Sequence, residues 1–190
     1  ILPARHAVNT VIVLMGDGDA GAIGGNHFIH AARRNIDLTA IIFNNSIYGM
    51  TGGQYSPLTP QNSRASTASR GTMERPFDMT ELARVAGATY TARATTYHVN
   101  LLSKLICDGA NHKGFSFIEA VTACPVAFGR RNKMGSPYDM LMWQKEHGVP
   151  VQKAEKLTPE ELQGKFVIGE LYRTEAPEFT ETYQRLIEGV

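Results

Sequence analysis

The sequence predicts an α/β fold, an open and mostly parallel sheet with helices on both faces. Two apolar runs rich in β-branched or long aliphatic residues, at 11–15 and 38–43, have the pattern of strands buried on both faces. Segments with helical spacing separate the candidate strands, which is the order of parallel strand–helix–strand units with short links. The first two strands each end in a cluster of Gly, Asp or Asn, so those clusters fall at one edge of the sheet.

In chain order, the run VIVLM at 11–15 stops at Gly16. Residues 22–34 carry Ile23, Phe28, Ile29 and Ala32 at helical spacing, and Asn35 ends them. The strand 38–43 closes on Asn44 and Asn45. Residues 46–76, with few apolar side chains and many Gly, Pro, Ser, Thr and Arg, predict a loop far longer than an ordinary connection; such loops are usually functional or disordered. Regular structure resumes with a helix at 79–86 ended by Gly87, a strand near 90–94, a helix at 99–110 and a strand at 115–121. Beyond this the pattern weakens, and Pro137, Pro150, Pro159 and Pro177 predict an arm of short elements. The reading is a domain over 1–135 and a C-terminal arm over 136–190 that packs on it or on a partner subunit.

A chain of 190 residues, 43% hydrophobic, sustains one core. Nineteen basic against eighteen acidic residues, without blocks of like charge, give no sign of a nucleic-acid or membrane partner. The apolar runs are far shorter than a membrane helix and no signal-peptide layout is present, so a cytoplasmic protein is expected. Two cysteines are too few for a disulfide framework. Ile1 stands so close to the first strand that a preceding segment is expected to be missing.

The chemistry lies at the strand ends. Gly16, Asp17, Gly18 and Asp19 follow the first strand, and Asn45 closes the second. With strands about 4.8 Å apart, the Asp17 carboxylate and the Asn45 amide oxygen fall within reach of one small cation. Magnesium suits them: it takes hard oxygen ligands in an octahedron and combines a carboxylate with phosphate oxygens. Gly16, Gly18 and Gly21 allow close approach of an anion, and a helix starting near Ala22 turns free N–H groups toward it. A magnesium diphosphate site is expected. GDGD alone is equally compatible with a tight turn or a calcium-type loop; the paired Asn and the following YGMTGGQ decide for the cofactor.

The stretch from Gly16 to Asn45 resembles the thiamine-diphosphate motif, GDG followed after about thirty residues by paired Asn. GDGDAGAIGGNHFIHAARRNID, continued through IIFNNSIYGMTGGQYSP, resembles the β subunit of 2-oxoacid:ferredoxin oxidoreductases, thinly to about residue 150. The resemblance implies a thiamine-diphosphate-binding fold, with magnesium held by Asp17, Asn45 and the backbone carbonyl of Ile47. It implies cofactor contacts from Gly16, Gly18, Asp19, Gly49, Met50 and Thr51, with Met50 beside the thiazolium ring, although Tyr48, Met50 and Phe43 also read as core residues. It further implies one 4Fe-4S cluster with Cys124 as a ligand, the others not being in this chain, and coenzyme A and ferredoxin as co-substrate and partner. The carboxylate that activates the cofactor is expected on an α subunit carrying the pyrimidine-binding domain, so no catalytic acid is assigned here to Glu74, Glu81 or Glu119. GMTGGQYSP is most similar to the 2-oxoglutarate branch, with Met50, Thr51 and Gln54 as the substrate pocket. Use of pyruvate or of several 2-oxoacids, a non-oxidative thiamine decarboxylase and a non-enzymatic regulatory subunit are the other readings. A decarboxylase of that kind should carry both cofactor domains in one polypeptide, and a regulatory subunit should have a damaged motif. Cys107, among leucines of a predicted helix, reads as a structural core residue. His27 and His30, three apart on one helix, lack further ligands for zinc and read as packing or as neighbours of the phosphates.

Overall fold

The computed structural model describes residues 10–189, so the expectation about the start of the chain at Ile1 lies outside the described residues. Strands β1 (Ile12–Gly16), β2 (Leu38–Asn44), β3 (Tyr90–Thr95) and β4 (Phe115–Val121) form where the apolar runs predict them. Two later strands, β5 (Gly148–Pro150) and β6 (Phe166–Arg173), complete a six-stranded sheet ordered β1-β2-β4-β3-β6-β5. The first four are mutually parallel, β6 pairs antiparallel with β3, and β5 runs parallel to β6.

The helices are α1 (Gly25–Arg33), α2 (Met79–Ala86), α3 (Val99–Asn111), α4 (Pro137–His147), α5 (Val151–Ala154) and α6 (Phe179–Glu188). The expected helix at 22–34 splits: a single π-helical turn at Asp19–Ile23 precedes α1. α2 keeps its predicted limits because both ends are specified. The Asp78 carboxylate accepts the Thr80 and Glu81 N–H groups at its start, and Gly87, at φ 114°, ends it in a left-handed conformation that costs glycine little.

Alternation along the strands divides the core in two. Ala40, Ile42, Phe115 and Phe117 face Phe28 and Ala32 of α1 and Met79 and Ala83 of α2. Phe28 meets Phe115 and Phe117 edge-on, with ring centroids at 5.6 and 5.1 Å, contacts worth about 0.5–1.5 kcal/mol each beyond their burial. On the other face Ile41, Tyr90, Ala92, Ala94 and Ile118 pack with Leu105 of α3.

Two further features depart from the sequence reading. β1 is not buried on both faces: among the described residues it is an edge strand paired only with β2, and Ile12 and Leu14 are 45% and 62% exposed. Its apolar run reflects a surface that nothing covers among the described residues. The second concerns 136–190, predicted as an arm of short elements, which holds α4 and α6 and contributes β5 and β6 to the sheet. Ser136 and Asp139 form a capping box that sets α4, and Pro137 at its first turn starts the helix instead of breaking it. Asn35 ties the end of the chain back to the domain. Its amide donates to the carbonyls of Ala176 and Pro177, while its oxygen accepts the Phe115 N–H and the Thr89 hydroxyl.

Candidate functional site

The parallel register brings the ends of β1 and β2 together, Gly16 opposite Phe43, so that Asp17 and Asn45 leave adjacent strands at the same edge. Asp17 is 2% exposed, and none of the ion pairs among the described residues includes it. Burial pushes its carboxyl up to about 6, against the opposing effects of the Ser56 hydroxyl and of the backbone N–H groups of Asp17, Asn45 and Gly18. A buried carboxylate with N–H donors and no positive partner is a suitable ligand for a cation, and its oxygen chemistry suits magnesium. Beside it the Asn45 side-chain oxygen accepts the Ile47 N–H at 3.2 Å, which fixes the amide's orientation. Among the described residues no hydrogen bond takes the Ile47 carbonyl, although the Ile47 side chain is buried.

The loop after Asn45 is ordered by its own polar contacts. Tyr48 and Gln54 form an isolated antiparallel bridge around the turn that holds Gly49, Met50 and Thr51. The Tyr48 hydroxyl donates to the Gly18 carbonyl at 3.1 Å, and its ring lies so close that a Cβ on Gly18 would meet it at 2.1 Å. The second glycine of GDG is therefore required by side-chain packing as well as by approach to an anion. Ser56, 2% exposed, donates to Asp17 Oδ2 and accepts the Leu58 N–H. Thr59 accepts the Ser56 N–H and donates to the Ser46 carbonyl at 2.6 Å, closing the loop back on the paired Asn. The roles of Ser56 and Thr59 are not evident from composition; the only sequence sign is that YSP follows the paired Asn within one unbroken polar loop.

Other candidates fall variously. Asp19 is exposed and accepts the Gly16 N–H at 2.9 Å, so in this conformation it shapes the turn and occupies a donor expected for the diphosphate. Met50 is fully exposed. Thr51 and Gln54 bond each other: the Thr51 hydroxyl donates to Gln54 Oε1 at 2.7 Å and Gln54 Nε2 donates to the Thr51 carbonyl at 2.8 Å. Cys124 precedes a π-helical turn at Pro125–Gly129 and lies beside Gly49, where an added Cβ would stand 3.4 Å from its sulfur. Cys107 is exposed and not a core residue, because Leu105 and Gly109 define the buried stripe of α3 and Cys107 points about 200° away from Leu105. His27 and His30 are both exposed, which removes the packing role expected of them, and no group of three metal-ligating side chains occurs among the described residues.

The three glutamates left unassigned are accounted for structurally. Glu74 accepts the Tyr55 hydroxyl at 3.3 Å, and Glu81 pairs with Arg84 on the surface. Glu119 is 4% exposed; it sits opposite Arg93 in the β3–β4 register, pairs with it at 2.6 Å and accepts the Asn44 amide at 2.6 Å. Arg93 also reaches Asp78, the cap of α2. This network lines a cavity of about 750 Å³ that runs from Asn44 and Asn45 to Trp143 and Phe166. Met50, Thr51 and Gln54 are not among its lining residues.

The site and fold fit a known class. Residues 3–120 match the family model described as the C-terminal TPP binding domain of thiamine pyrophosphate enzymes, and the chain belongs to that family. More particularly, it is 53% identical over 178 residues to 2-oxoglutarate synthase subunit KorB of Methanothermobacter marburgensis, covering 94% of this chain and 62% of that protein. It is 52% identical over 186 residues to the subunit of the same name from Methanocaldococcus jannaschii, covering 98% of this chain and 67% of that one. Among solved structures, 2-oxoglutarate:ferredoxin oxidoreductase from Magnetococcus marinus with 2-oxoglutarate, coenzyme A and succinyl-CoA bound matches 92% of this chain and 60% of that chain, with a TM-score of 0.78 and 30% identity. The chain thus spans just under two thirds of the length of the first of these relatives.

Proposed function

We propose that this chain is the thiamine-diphosphate-holding part of the β subunit of a 2-oxoglutarate:ferredoxin oxidoreductase, which decarboxylates 2-oxoglutarate with coenzyme A or runs the reverse carboxylation. The buried Asp17, in no ion pair among the described residues, beside Asn45 carries the reading, in a domain whose relatives are named 2-oxoglutarate synthase. Asp17, the Asn45 side-chain oxygen and the Ile47 carbonyl would hold magnesium. Thiamine diphosphate, when bound, supplies the carbon nucleophile and the electron sink for decarboxylation. The chain's own part is to bind and orient: Ser56 and the Asp17, Gly18 and Asn45 N–H groups hold the Asp17 carboxylate in place. The exposed turn at Met50 and Thr51 would border the thiazolium and substrate, with Gln54 released from Thr51 to meet the distal carboxylate of 2-oxoglutarate.

Cys124 would be one thiolate of a 4Fe-4S cluster that passes electrons to ferredoxin, its other ligands lying outside this chain. The activating glutamate would come from an α subunit with the pyrimidine-binding domain, in a cytoplasmic heteromer. No described helix is long and apolar enough to cross a membrane. Reconstitution with that subunit tests the reading. 2-Oxoglutarate should exceed pyruvate in kcat/KM under identical coenzyme A and acceptor conditions, because a site built to hydrogen-bond a group rejects a substrate lacking it. Equal or better use of pyruvate refutes the substrate; activity of the chain alone refutes the division of the site.

A further inference from the structure

We propose that Glu119 is a positioning residue for the magnesium site, acting through Asn44, the first of the paired asparagines. The inference rests on the reading of this sheet edge as a magnesium thiamine-diphosphate site. Glu119 is not itself one of the proposed ligands. Its Oε1 accepts the Asn44 Nδ2 at 2.6 Å, and its Oε2 accepts Arg93 Nε at 2.6 Å.

Strand register explains the contact. Glu119 of β4 is the partner of both Ile42 of β2 and Arg93 of β3, so its side chain shares a sheet face with Asn44, two residues beyond Ile42. Arg93 is anchored from its far end, where Nη2 donates to Asp78 Oδ1 at 2.8 Å and to the Thr80 hydroxyl at 3.1 Å at the start of α2. The Arg93 and Glu119 side chains are 11% and 5% exposed. A buried ion pair gains little net stability over apolar side chains of the same volume, so stability alone does not account for a carboxylate here. The pair provides one fixed oxygen, Oε1, that faces the end of β2. A carboxylate paired with an arginine accepts and does not donate, so this oxygen selects the amide nitrogen of Asn44 and turns its Oδ1 the other way.

That Oδ1 accepts the Ser46 N–H at 3.0 Å, while the Thr59 hydroxyl donates to the Ser46 carbonyl at 2.6 Å. Ser46 has φ 62°, one of four non-glycine residues in the left-handed region among the described residues. A serine keeps this conformation where its surroundings impose it. Residue 46 stands between the two proposed ligands of the paired-Asn loop, and its turn brings the Ile47 N–H back to Asn45 Oδ1 at 3.2 Å. The backbone angle at Ser46 therefore sets the Asn45 side-chain oxygen and the Ile47 carbonyl relative to each other. Arg93 fixes Glu119, Glu119 orients Asn44, and Asn44 holds Ser46 in the conformation that the metal site needs.

The test swaps the two interacting groups and reads the magnesium dissociation constant at saturating thiamine diphosphate, by calorimetry on the reconstituted complex below the melting temperature of each variant. Asn44→Asp sets two carboxylates against each other, and Glu119→Gln cannot accept from both Arg93 and Asn44. Each should weaken magnesium about tenfold or more, the range for a hydrogen bond to a charged group. Combined, the introduced amide at 119 donates to the introduced carboxylate at 44, and affinity should return to within about threefold of wild type. At two of these steps charge alone predicts the opposite sign. A carboxylate added beside the metal should tighten magnesium, and removal of the Glu119 charge from that variant should weaken it. A purely structural role would leave the constants of the folded proteins unchanged. Asn44→Ala, which keeps the Arg93–Glu119 pair, gives the same readout if a swap variant does not fold. It too should weaken magnesium about tenfold, and adding Ser46→Gly should recover part of the loss, because glycine accepts the left-handed backbone. Unaltered affinity in Asn44→Ala, tighter binding in Asn44→Asp, or a double variant no better than Asn44→Asp overturns the inference. A wild-type complex whose thiamine-diphosphate binding does not depend on magnesium overturns both the inference and the site on which it rests.

Discussion

Replacing Asp17 with asparagine separates stability from function, and the two should move in opposite directions. Folding buries the carboxylate and raises its pKa from 3.8 to about 6, a change worth roughly 3 kcal/mol when the group must ionise. A carboxylate whose folded value is raised contributes stability that is complete below about pH 4 and disappears as the pH climbs through about 6. At pH 7 the metal-free wild type therefore carries a buried charge that the substituted protein does not. The asparagine side chain is nearly isosteric, and its oxygen can still accept from Ser56 and the loop N–H groups. The metal-free variant should exceed wild type by up to about 3 kcal/mol at pH 7 and match it near pH 4, read from urea unfolding at both pH values with chelator present. Magnesium-dependent thiamine-diphosphate binding should be lost in the same variant. A D17N protein less stable than wild type at pH 7, or one that binds the cofactor tightly, would refute the reasoning. The same linkage predicts that magnesium affinity of the wild type falls as the pH drops below about 6, because the metal then competes with a proton.

Ser56→Ala removes the side-chain donor to Asp17 and should weaken magnesium-dependent cofactor binding by about tenfold or more, the range for a hydrogen bond to a charged group; restoration by Ser56→Thr but not by Ser56→Val would tie the effect to the hydroxyl. Gly18→Ala places a methyl against the Tyr48 ring and should abolish cofactor binding in calorimetry, whereas Tyr48→Phe, which loses one hydrogen bond and keeps the ring, should cost only about 1 kcal/mol. Glu119→Ala leaves Arg93 with Asp78 alone in a buried setting and should destabilise the fold by about 3–5 kcal/mol in denaturant titration, a prediction that a loss under about 1 kcal/mol would defeat. Cys124→Ala in the full complex should remove the reduced-cluster EPR signal, while Cys107→Ala, on the exposed side of α3, should leave both the signal and the stability within about 0.5 kcal/mol of wild type.

Much of the fold and site was legible because it is written locally. The apolar runs of β2 and β4, the Asp78 and Gly87 limits of α2 and the GDG and paired-Asn endings depend on residues within a few positions of one another. Parallel pairing then brings Asp17 and Asn45 to one edge as a consequence of strand order. What the tertiary structure decided depends on groups far apart in sequence. An apolar run reads alike in a central and an edge strand, so the exposure of β1 follows from which strands flank it and not from its composition. β6 becomes a strand by pairing with β3, more than seventy positions earlier, across a register shift that interrupts regular alternation. Ser56 reaches Asp17 over 39 residues, and Arg93 meets Glu119 over 26. Such contacts leave no periodic trace, because a single buried hydroxyl or ion pair is fixed by where the backbone brings it. The sequence determines that a magnesium diphosphate edge is expected; the folded chain determines which side chains hold its carboxylate and which glutamates are taken by structural pairs.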